Sequence, residues 1–207
     1  MKKYLKTPRA VRLATLFAMI PALFLGGCGQ QTECEKSIDT AMGTVISQTV
    51  YVTENSPAAT NGITDEKVTD VVLQKLNDLE QQELSWRLDS AEVAQINAAA
   101  GKGQIQVSAA MAGWLERCLQ ISEQTSGAFD VSIGQLSRLW DIDTWAAADD
   151  PQDYELPGRE EIEQALASAG WQQMILEQRT DSTAVSIPAG MQIDLGAVGK
   201  GVALDEI

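Results

Sequence analysis

Near its carboxyl end the chain reads Ile193-Asp194-Leu195-Gly196-Ala197-Val198-Gly199-Lys200-Gly201. The apolar residues around Asp194 predict a strand over residues 191–195, and the residues that follow predict the start of a helix. Glycines in such a turn let the backbone approach a ligand where a side chain would clash. The N–H groups and the dipole at the helix start favour a diphosphate, and Lys200 adds a charge that can contact a phosphoryl oxygen. The alternative is a glycine-rich turn required only for close packing.

The composition of the 207-residue chain, with 44% hydrophobic and 21% charged residues, is that of a globular protein. A formal net charge of −14 disfavours binding to the phosphate backbone, so we expect no nucleic-acid partner. The absence of histidine excludes Ser-His and Cys-His nucleophile pairs and His-ligated zinc within these residues. Phosphoryl chemistry and binding of a hard cation remain compatible with this composition.

Residues 1–27 have the features of a signal peptide, with a basic start and an apolar run at 13–25 that is too short to cross a bilayer comfortably. The run ends in Leu25-Gly26-Gly27-Cys28, which resembles the lipobox of bacterial lipoproteins. That resemblance implies lipidation of Cys28 and a polar tether over residues 28–36. Because the rest of the chain is acidic, attachment to a membrane must then come from acyl chains. The alternative is an ordinary secretory signal with a chance cysteine.

Lipidation of Cys28 leaves Cys34 and Cys118 as the remaining cysteines. The compartment permits a disulfide between them. However, Cys118 falls on the apolar face of a predicted helix and Cys34 falls in the tether. We therefore do not expect these two residues to pair.

Residues 37–207 predict one α+β domain with mixed sheets and packed helices. The Thr-, Val- and Ile-rich residues 37–52 predict a strand or hairpin arm. Apolar residues at helical spacing predict helices that begin near Thr64 and Arg159, and two more helices with Ser90 and Ser108 as their N-caps. Short apolar runs predict an edge strand at 105–107 and further strands at 171–177, 184–187 and 191–195. The acidic residues 141–157 predict an exposed loop.

Five short motifs follow one another along these residues. They are Ala41-Met42-Gly43-Thr44; Ser85-Trp86 with Ser90 and Asn97; Ser126-Gly127-Ala128-Phe129-Asp130-Val131 with Leu136 and Leu139-Trp140; Ile193-Asp194-Leu195-Gly196-Ala197; and Gly199-Lys200-Gly201 with Asp205. In this order they resemble the ApbE family, the FAD:protein FMN transferases, over residues 37–207. The resemblance implies an ApbE-like, T-fold-like domain that is incomplete at residue 207.

The resemblance also implies a pocket in which Mg²⁺ holds the diphosphate of FAD. It assigns flavin contacts to Met42, Trp86, Ala128, Phe129, Asp130, Asp194 and Lys200. Among these it assigns catalysis to Asp194 and Lys200, and it assigns Mg²⁺ binding to the backbone carbonyl of Ala197. A carbonyl oxygen suits so hard a cation. Core packing is the alternative role for Met42, Trp86 and Phe129.

The reaction implied is attack by a Thr or Ser hydroxyl of a target protein on FAD, which forms a phosphoester-linked FMN and releases AMP. The implied targets are flavoprotein subunits of membrane redox complexes, such as the sodium-translocating NADH:quinone reductase. The implied location is the periplasmic side of the inner membrane, through the lipid anchor. Hydrolysis of FAD by a periplasmic pyrophosphatase and a non-catalytic flavin-binding lipoprotein remain alternatives. Because the family's other metal ligands fall beyond residue 207, we expect the 207-residue chain alone to be inactive.

Overall fold

A computed structural model describes residues 35–51, 65–147, 150 and 154–207. The predicted signal peptide, Cys28 and Cys34 lie outside the described residues. The chain divides into two units, residues 1–37 with 48–68 and residues 38–47 with 69–207, and the second unit contains the core and the candidate site. Within the described ranges, no helix has both the length and the apolar character needed to span a bilayer.

The residues predicted to form one strand or hairpin arm, 37–52, instead cover most of two strands that form a complete hairpin. Strands β1 (Glu35–Ala41) and β2 (Thr44–Val50) are joined by the two-residue turn Met42-Gly43. Both turn residues have positive φ, 53° at Met42 and 65° at Gly43. Positive φ at both central residues matches the twist of the flanking strands. Glycine adopts this conformation readily, whereas Met42 is strained in it.

The helices of the described residues are α1 (Asp65–Leu79), α2 (Glu92–Ala98), α3 (Ala109–Gln124), α4 (Gly134–Trp140), α5 (Ile142–Ala147), α6 (Arg159–Ala167) and α7 (Gly196–Glu206). A π-helical turn, Glu80–Leu84, continues α1. The predicted cap of α3 is confirmed, since the Ser108 hydroxyl accepts the Met111 N–H at 3.0 Å. This local hydrogen bond satisfies one of the N–H groups that the first turn leaves unpaired.

Two details of the helix prediction are wrong. The N-cap of α2 is Ala91, because the hydroxyl of Ser90 instead donates to the Gln81 carbonyl at 2.6 Å. Residues 141–157 are not loop throughout, because α5 lies within them. Asp141 ends α4 in a left-handed conformation with φ 34°, and its carbonyl accepts the Trp145 N–H at 3.2 Å, so the chain begins a new helix at once.

A second, antiparallel sheet has the strand order β3 (Ile105–Val107), β5 (Thr183–Ser186), β4 (Ile175–Gln178). Strand β3 lies at an edge, as predicted. Residues 171–173 form a 3₁₀ turn, so the strand predicted there begins only at residue 175. The strand predicted over 191–195 is wrong, because these residues make only one parallel bridge, between Gln192 and Ile133. The Ile193 backbone instead bonds to the side chain of Asn97, and the Asp194 N–H donates to the Val131 carbonyl. Neither partner belongs to a strand.

The core combines side chains from α1 to α3, β5 and residues 191–195. Its fully buried members include Leu79, Ile96, Met111, Leu115, Val131, Val185, Met191, Ile193 and Leu195. Cys118 is buried among them, on α3, as a free cysteine. Burial raises the pKa of the Cys118 thiol to about 11, so this thiol stays protonated and unreactive at neutral pH.

Gly134 lets α4 approach residues 191–195 closely. Its N–H donates to the Gln192 carbonyl at 2.8 Å, and a Cβ added to Gly134 would lie 2.7 Å from that oxygen. Gly134→Ala is therefore expected to lower the free energy of unfolding by about 1–3 kcal/mol, because the backbone must shift. Gly113→Ala on α3 is the matched control, since its Cβ would meet no tertiary neighbour within 4 Å. The control should raise the free energy by about 0.5–1 kcal/mol. Urea unfolding measures both, and equal stabilities would contradict the close approach.

Candidate functional site

A cavity of about 320 Å³ lies beside the hairpin turn, the π-helical turn and the start of α7. Four of its lining residues were predicted to contact flavin: Met42, Trp86, Asp194 and Lys200. The other polar lining residues are Glu80, Ser85, Arg87 and Ser137, and the apolar part of the wall includes Leu84, Ile142 and Leu195. The fold thus brings together residues that lie up to 158 positions apart in the sequence.

Asp194 reaches the cavity because three hydrogen bonds fix the backbone that leads into it. The Asn97 side chain donates to the Ile193 carbonyl at 2.9 Å and accepts the Ile193 N–H at 2.7 Å. The Asp194 N–H donates to the Val131 carbonyl at 2.8 Å. Its carboxylate Oδ1 then accepts the Gly196 N–H at 2.7 Å, which pairs one of the N–H groups at the start of α7. Asp194 therefore both lines the cavity and orders the helix start.

Helix α7 approaches the cavity through its first turn. Gly199 is buried, and a Cβ at this position would lie 3.6 Å from Met42 Cε and 3.8 Å from Leu84 Cδ1. The small residue therefore allows close packing of α7 on the apolar wall. Lys200 follows on the same turn with an exposed side chain, and among the described residues no carboxylate lies within 4.0 Å of its ammonium. Its charge is available to a ligand in the cavity.

Trp86 is flanked by two guanidinium groups. The Cζ of Arg87 lies 3.9 Å from the centroid of the Trp86 ring, and the Cζ of Arg138 lies 4.8 Å from it. Both distances fall within the range of cation–π attraction. Arg87 also forms an ion pair with Asp143 on α5. The ring is half-buried and packs against the core on one side, so these contacts fix it as part of the wall.

The predicted segment Ala128-Phe129-Asp130 does not line the cavity. Ala128 is exposed, and Phe129 packs against the core. The Asp130 carboxylate accepts hydrogen bonds from the Ser132 N–H at 2.7 Å, the Ser132 hydroxyl at 2.6 Å and the Trp171 N–H at 3.2 Å. Asp130 thereby positions Val131, whose carbonyl holds Asp194. Direct flavin contacts from these three residues stay a prediction.

Ala197 lies exposed in the first turn of α7, three residues after Asp194. Mg²⁺ requires about six oxygen ligands in near-octahedral geometry. Within the part of the chain that the structure describes, no group of three or more His, Cys, Asp or Glu residues could hold a metal ion. The described residues therefore do not compose a magnesium site by themselves.

The acidic residues near the π-helical turn lie mostly away from the cavity. The pKa of Glu83 is raised, chiefly by burial and further by the negative charges of Glu92 and Glu206, with Lys75 opposing the change. Glu83 Oε2 is buried without a hydrogen-bond partner among the described residues. Glu83, Glu92 and Glu206 do not line the cavity, whose wall combines the carboxylates of Glu80 and Asp194 with the cations of Arg87 and Lys200. Because Arg87 is paired with Asp143, Lys200 is the lining cation that can meet an anionic ligand.

Sequence reasoning missed several lining residues. Arg87 directly follows Trp86, and an arginine beside an aromatic residue could have pointed to the cation–π pair. Ser137 lies on α4 within the third motif, but no sequence pattern marks it as a residue of the cavity wall. Glu80 lies where the helical spacing of α1 continues, and nothing local indicates the π-helical turn. These residues were found only through the fold.

The curated proteins that this chain resembles carry the name FAD:protein FMN transferase. Over 135 residues, 62% of this chain and 35% of the relative, the sequence is 33% identical to the FAD:protein FMN transferase of Treponema pallidum. Over 200 residues, 95% of this chain and 54% of the relative, it is 27% identical to the FAD:protein FMN transferase of Escherichia coli K12. The chain thus spans about half the length, or less, of the curated relatives that it matches.

Solved structures give the same fold. A crystal structure of the ApbE protein from Thermotoga maritima aligns with a TM-score of 0.68 and 24% identity, covering 84% of this chain and 51% of that one. The apo form of the flavinyl transferase ApbE from Pseudomonas stutzeri aligns with a TM-score of 0.65 and 21% identity, covering 85% of this chain and 51% of that one.

The family model described as the ApbE family matches residues 42–207, which begin at the Met42 turn and include every lining residue of the cavity. The α+β expectation, with small mixed sheets and packed helices, agrees with the elements observed. With the sequence match, the fold and the cavity in agreement, the chain belongs to the ApbE family.

Proposed function

We propose that this protein is a FAD:protein FMN transferase, which moves FMN from FAD to a Thr or Ser hydroxyl of a target protein. The observation that carries the proposal is the single cavity that unites Met42, Trp86, Asp194 and Lys200. Names of the curated relatives add support. The hydroxyl oxygen forms a bond to the FMN-side phosphorus and releases its proton to solvent. The bond from that phosphorus to the bridging oxygen breaks, and AMP leaves with that oxygen and its electron pair.

In this proposal the chain's own residues bind and orient FAD. Met42 and Trp86 supply apolar wall for the flavin ring. Lys200, which lines the cavity from α7, supplies positive charge to the phosphoryl oxygens, where negative charge accumulates during transfer. Asp194 orders the start of that helix through its bond to Gly196. Positioning and charge neutralisation are the main protein contributions to phosphoryl transfer.

In this proposal, bound Mg²⁺ would neutralise negative charge on the diphosphate of FAD. The Ala197 carbonyl is the ligand proposed from this chain, and its place in the first turn of α7 is beside the Asp194 and Lys200 positions in sequence.

The proposed setting is the periplasmic side of the inner membrane, with a lipid anchor at Cys28. The proposed acceptors are flavin-carrying subunits of membrane redox complexes, such as the sodium-translocating NADH:quinone reductase. Both proposals rest on the lipobox-like residues 25–28 and on the family resemblance.

The transferase proposal is tested with the full-length protein extracted from its own membranes and incubated with FAD, Mg²⁺ and an acceptor domain. We expect the acceptor to become fluorescent in a gel and to gain the mass of one FMN group. Excess chelator should abolish the product, and restored Mg²⁺ should recover it, because an uncompensated diphosphate resists attack.

The two alternatives predict different products in the same assay. Release of free FMN and AMP with an unmodified acceptor would make the protein a hydrolase. FAD that is bound and left intact would make it a flavin-binding module. Transfer that survives complete removal of divalent cations would contradict the proposed role of Mg²⁺.

A further inference from the structure

We infer that Glu80 is a positioning residue that fixes the strained Met42-Gly43 turn as one wall of the cavity, and so sets the affinity for FAD. The inference rests on the proposed function for its ligand. Its structural basis is one hydrogen bond, from the Met42 N–H to Glu80 Oε2 at 2.9 Å, which joins two elements 38 residues apart. Both residues line the cavity.

Met42 requires such a restraint because of its backbone conformation. A methionine with φ 53° is in the left-handed region, which a side chain other than glycine adopts at a cost. A strained conformation persists only when its surroundings hold it in place. The side-chain end of Met42 also lies near the Gly199 position of α7, at 3.6 Å from a Cβ built there. A shift of this turn would therefore change the wall beside the start of α7.

Glu80 is suited to this role by its place at the start of the π-helical turn. Its backbone carbonyl accepts the Ser85 N–H at 3.1 Å, which closes the wider turn. Single π-helical turns often occur at functional sites. Glu83, the other carboxylate of this turn, does not line the cavity, so among the described residues of the turn Glu80 is the one whose carboxylate bonds the hairpin.

The bond requires an acceptor oxygen and does not require a negative charge. A glutamine at position 80 keeps a carbonyl oxygen at nearly the same place, whereas alanine leaves the Met42 N–H without this partner. If Glu80 instead acted on the ligand through its charge, both substitutions would have the same effect. Comparison of the two variants therefore separates positioning from a direct electrostatic role.

The experiment compares Glu80→Ala, Glu80→Gln and the control Gln82→Ala in the full-length protein. We expect Glu80→Ala to raise the Kd for FAD about tenfold, and Glu80→Gln to stay within about twofold of the parent. FAD fluorescence quenching measures the Kd, and a thermal melt verifies folding of each variant. Gln82→Ala should leave the Kd unchanged, because this exposed side chain does not line the cavity.

Amide hydrogen exchange at Met42, measured without ligand, provides a second readout. Exchange should be at least about tenfold faster in Glu80→Ala and unchanged in Glu80→Gln, since an unpaired amide exchanges more readily. Equal loss of FAD affinity in the two variants, or unchanged exchange in Glu80→Ala, would overturn the inference. A parent protein that binds no FAD would refute the proposed function and the effect on affinity, whereas the exchange data would still decide whether Glu80 holds the turn.

Discussion

Replacement of Lys200 by alanine is expected to lower the rate of the proposed flavin transfer about a hundredfold, the size of effect seen when one preorganised group that stabilises transition-state charge is lost. Lys200 lines the cavity from the first turns of α7, and its ammonium makes no ion pair with any described carboxylate. Its removal therefore takes away a positive charge that no described carboxylate neutralises. Single-turnover transfer to the acceptor, with saturating FAD, measures the effect.

Lys102→Ala is the matched control for Lys200. Lys102 is also exposed, but its ammonium donates to the Ala98 carbonyl at 2.8 Å and it does not line the cavity. We expect this control to transfer flavin at the parental rate. Lys200→Arg should recover only part of the activity, because a planar guanidinium presents its charge with a different geometry. If Lys200→Ala kept more than about half of the rate, Lys200 would have no catalytic role.

Replacement of Asn97 by alanine is expected to lower the free energy of unfolding by about 2–5 kcal/mol, because it leaves two buried backbone groups of Ile193 unpaired. The amide of Asn97 is buried and bonds both the N–H and the carbonyl of Ile193, at 2.7 and 2.9 Å. The same loss should loosen the backbone that carries Asp194 into the cavity. Urea unfolding and FAD binding on the same samples test the two effects together.

The control for Asn97 is Gln95→Ala on the same helix. Gln95 is exposed, and its side chain makes one hydrogen bond, to the Ser90 carbonyl at 3.0 Å. Its replacement should change the free energy of unfolding by no more than about 0.5–1 kcal/mol. Equal stabilities of the Asn97 and Gln95 variants would show that the Ile193 backbone does not depend on Asn97.

Much of the fold could be predicted because its determinants are local. The Ser108 cap and the apolar spacing of α3 each depend on residues that are close together in the sequence. The strand predicted at 191–195 failed for a non-local reason. Ile193 pairs with the Asn97 side chain, 96 residues earlier in the sequence, in place of a neighbouring strand. Periodicity alone cannot distinguish these two ways to satisfy a buried backbone.

The candidate site also combines features that are local in the sequence with features that depend on distant residues. The glycine-rich turn near Asp194 and Lys200 indicates an anion site by its own chemistry, and the resemblance added Met42 and Trp86. Glu80 could not be predicted, because its contact to the hairpin depends on a π-helical turn and on residues 38 positions away. Flavin contacts were predicted for Ala128 and Phe129 from the resemblance alone. In the fold these residues precede Val131, whose carbonyl bonds Asp194, and they do not line the cavity.

The most direct test of the central claim is a crystal structure of the full-length protein with FAD bound. The account predicts density for FAD in the cavity, with the flavin ring against Met42 and Trp86 and the phosphates near Lys200 and the start of α7. Density for FAD elsewhere on the protein, with this cavity empty at saturating FAD, would contradict the account.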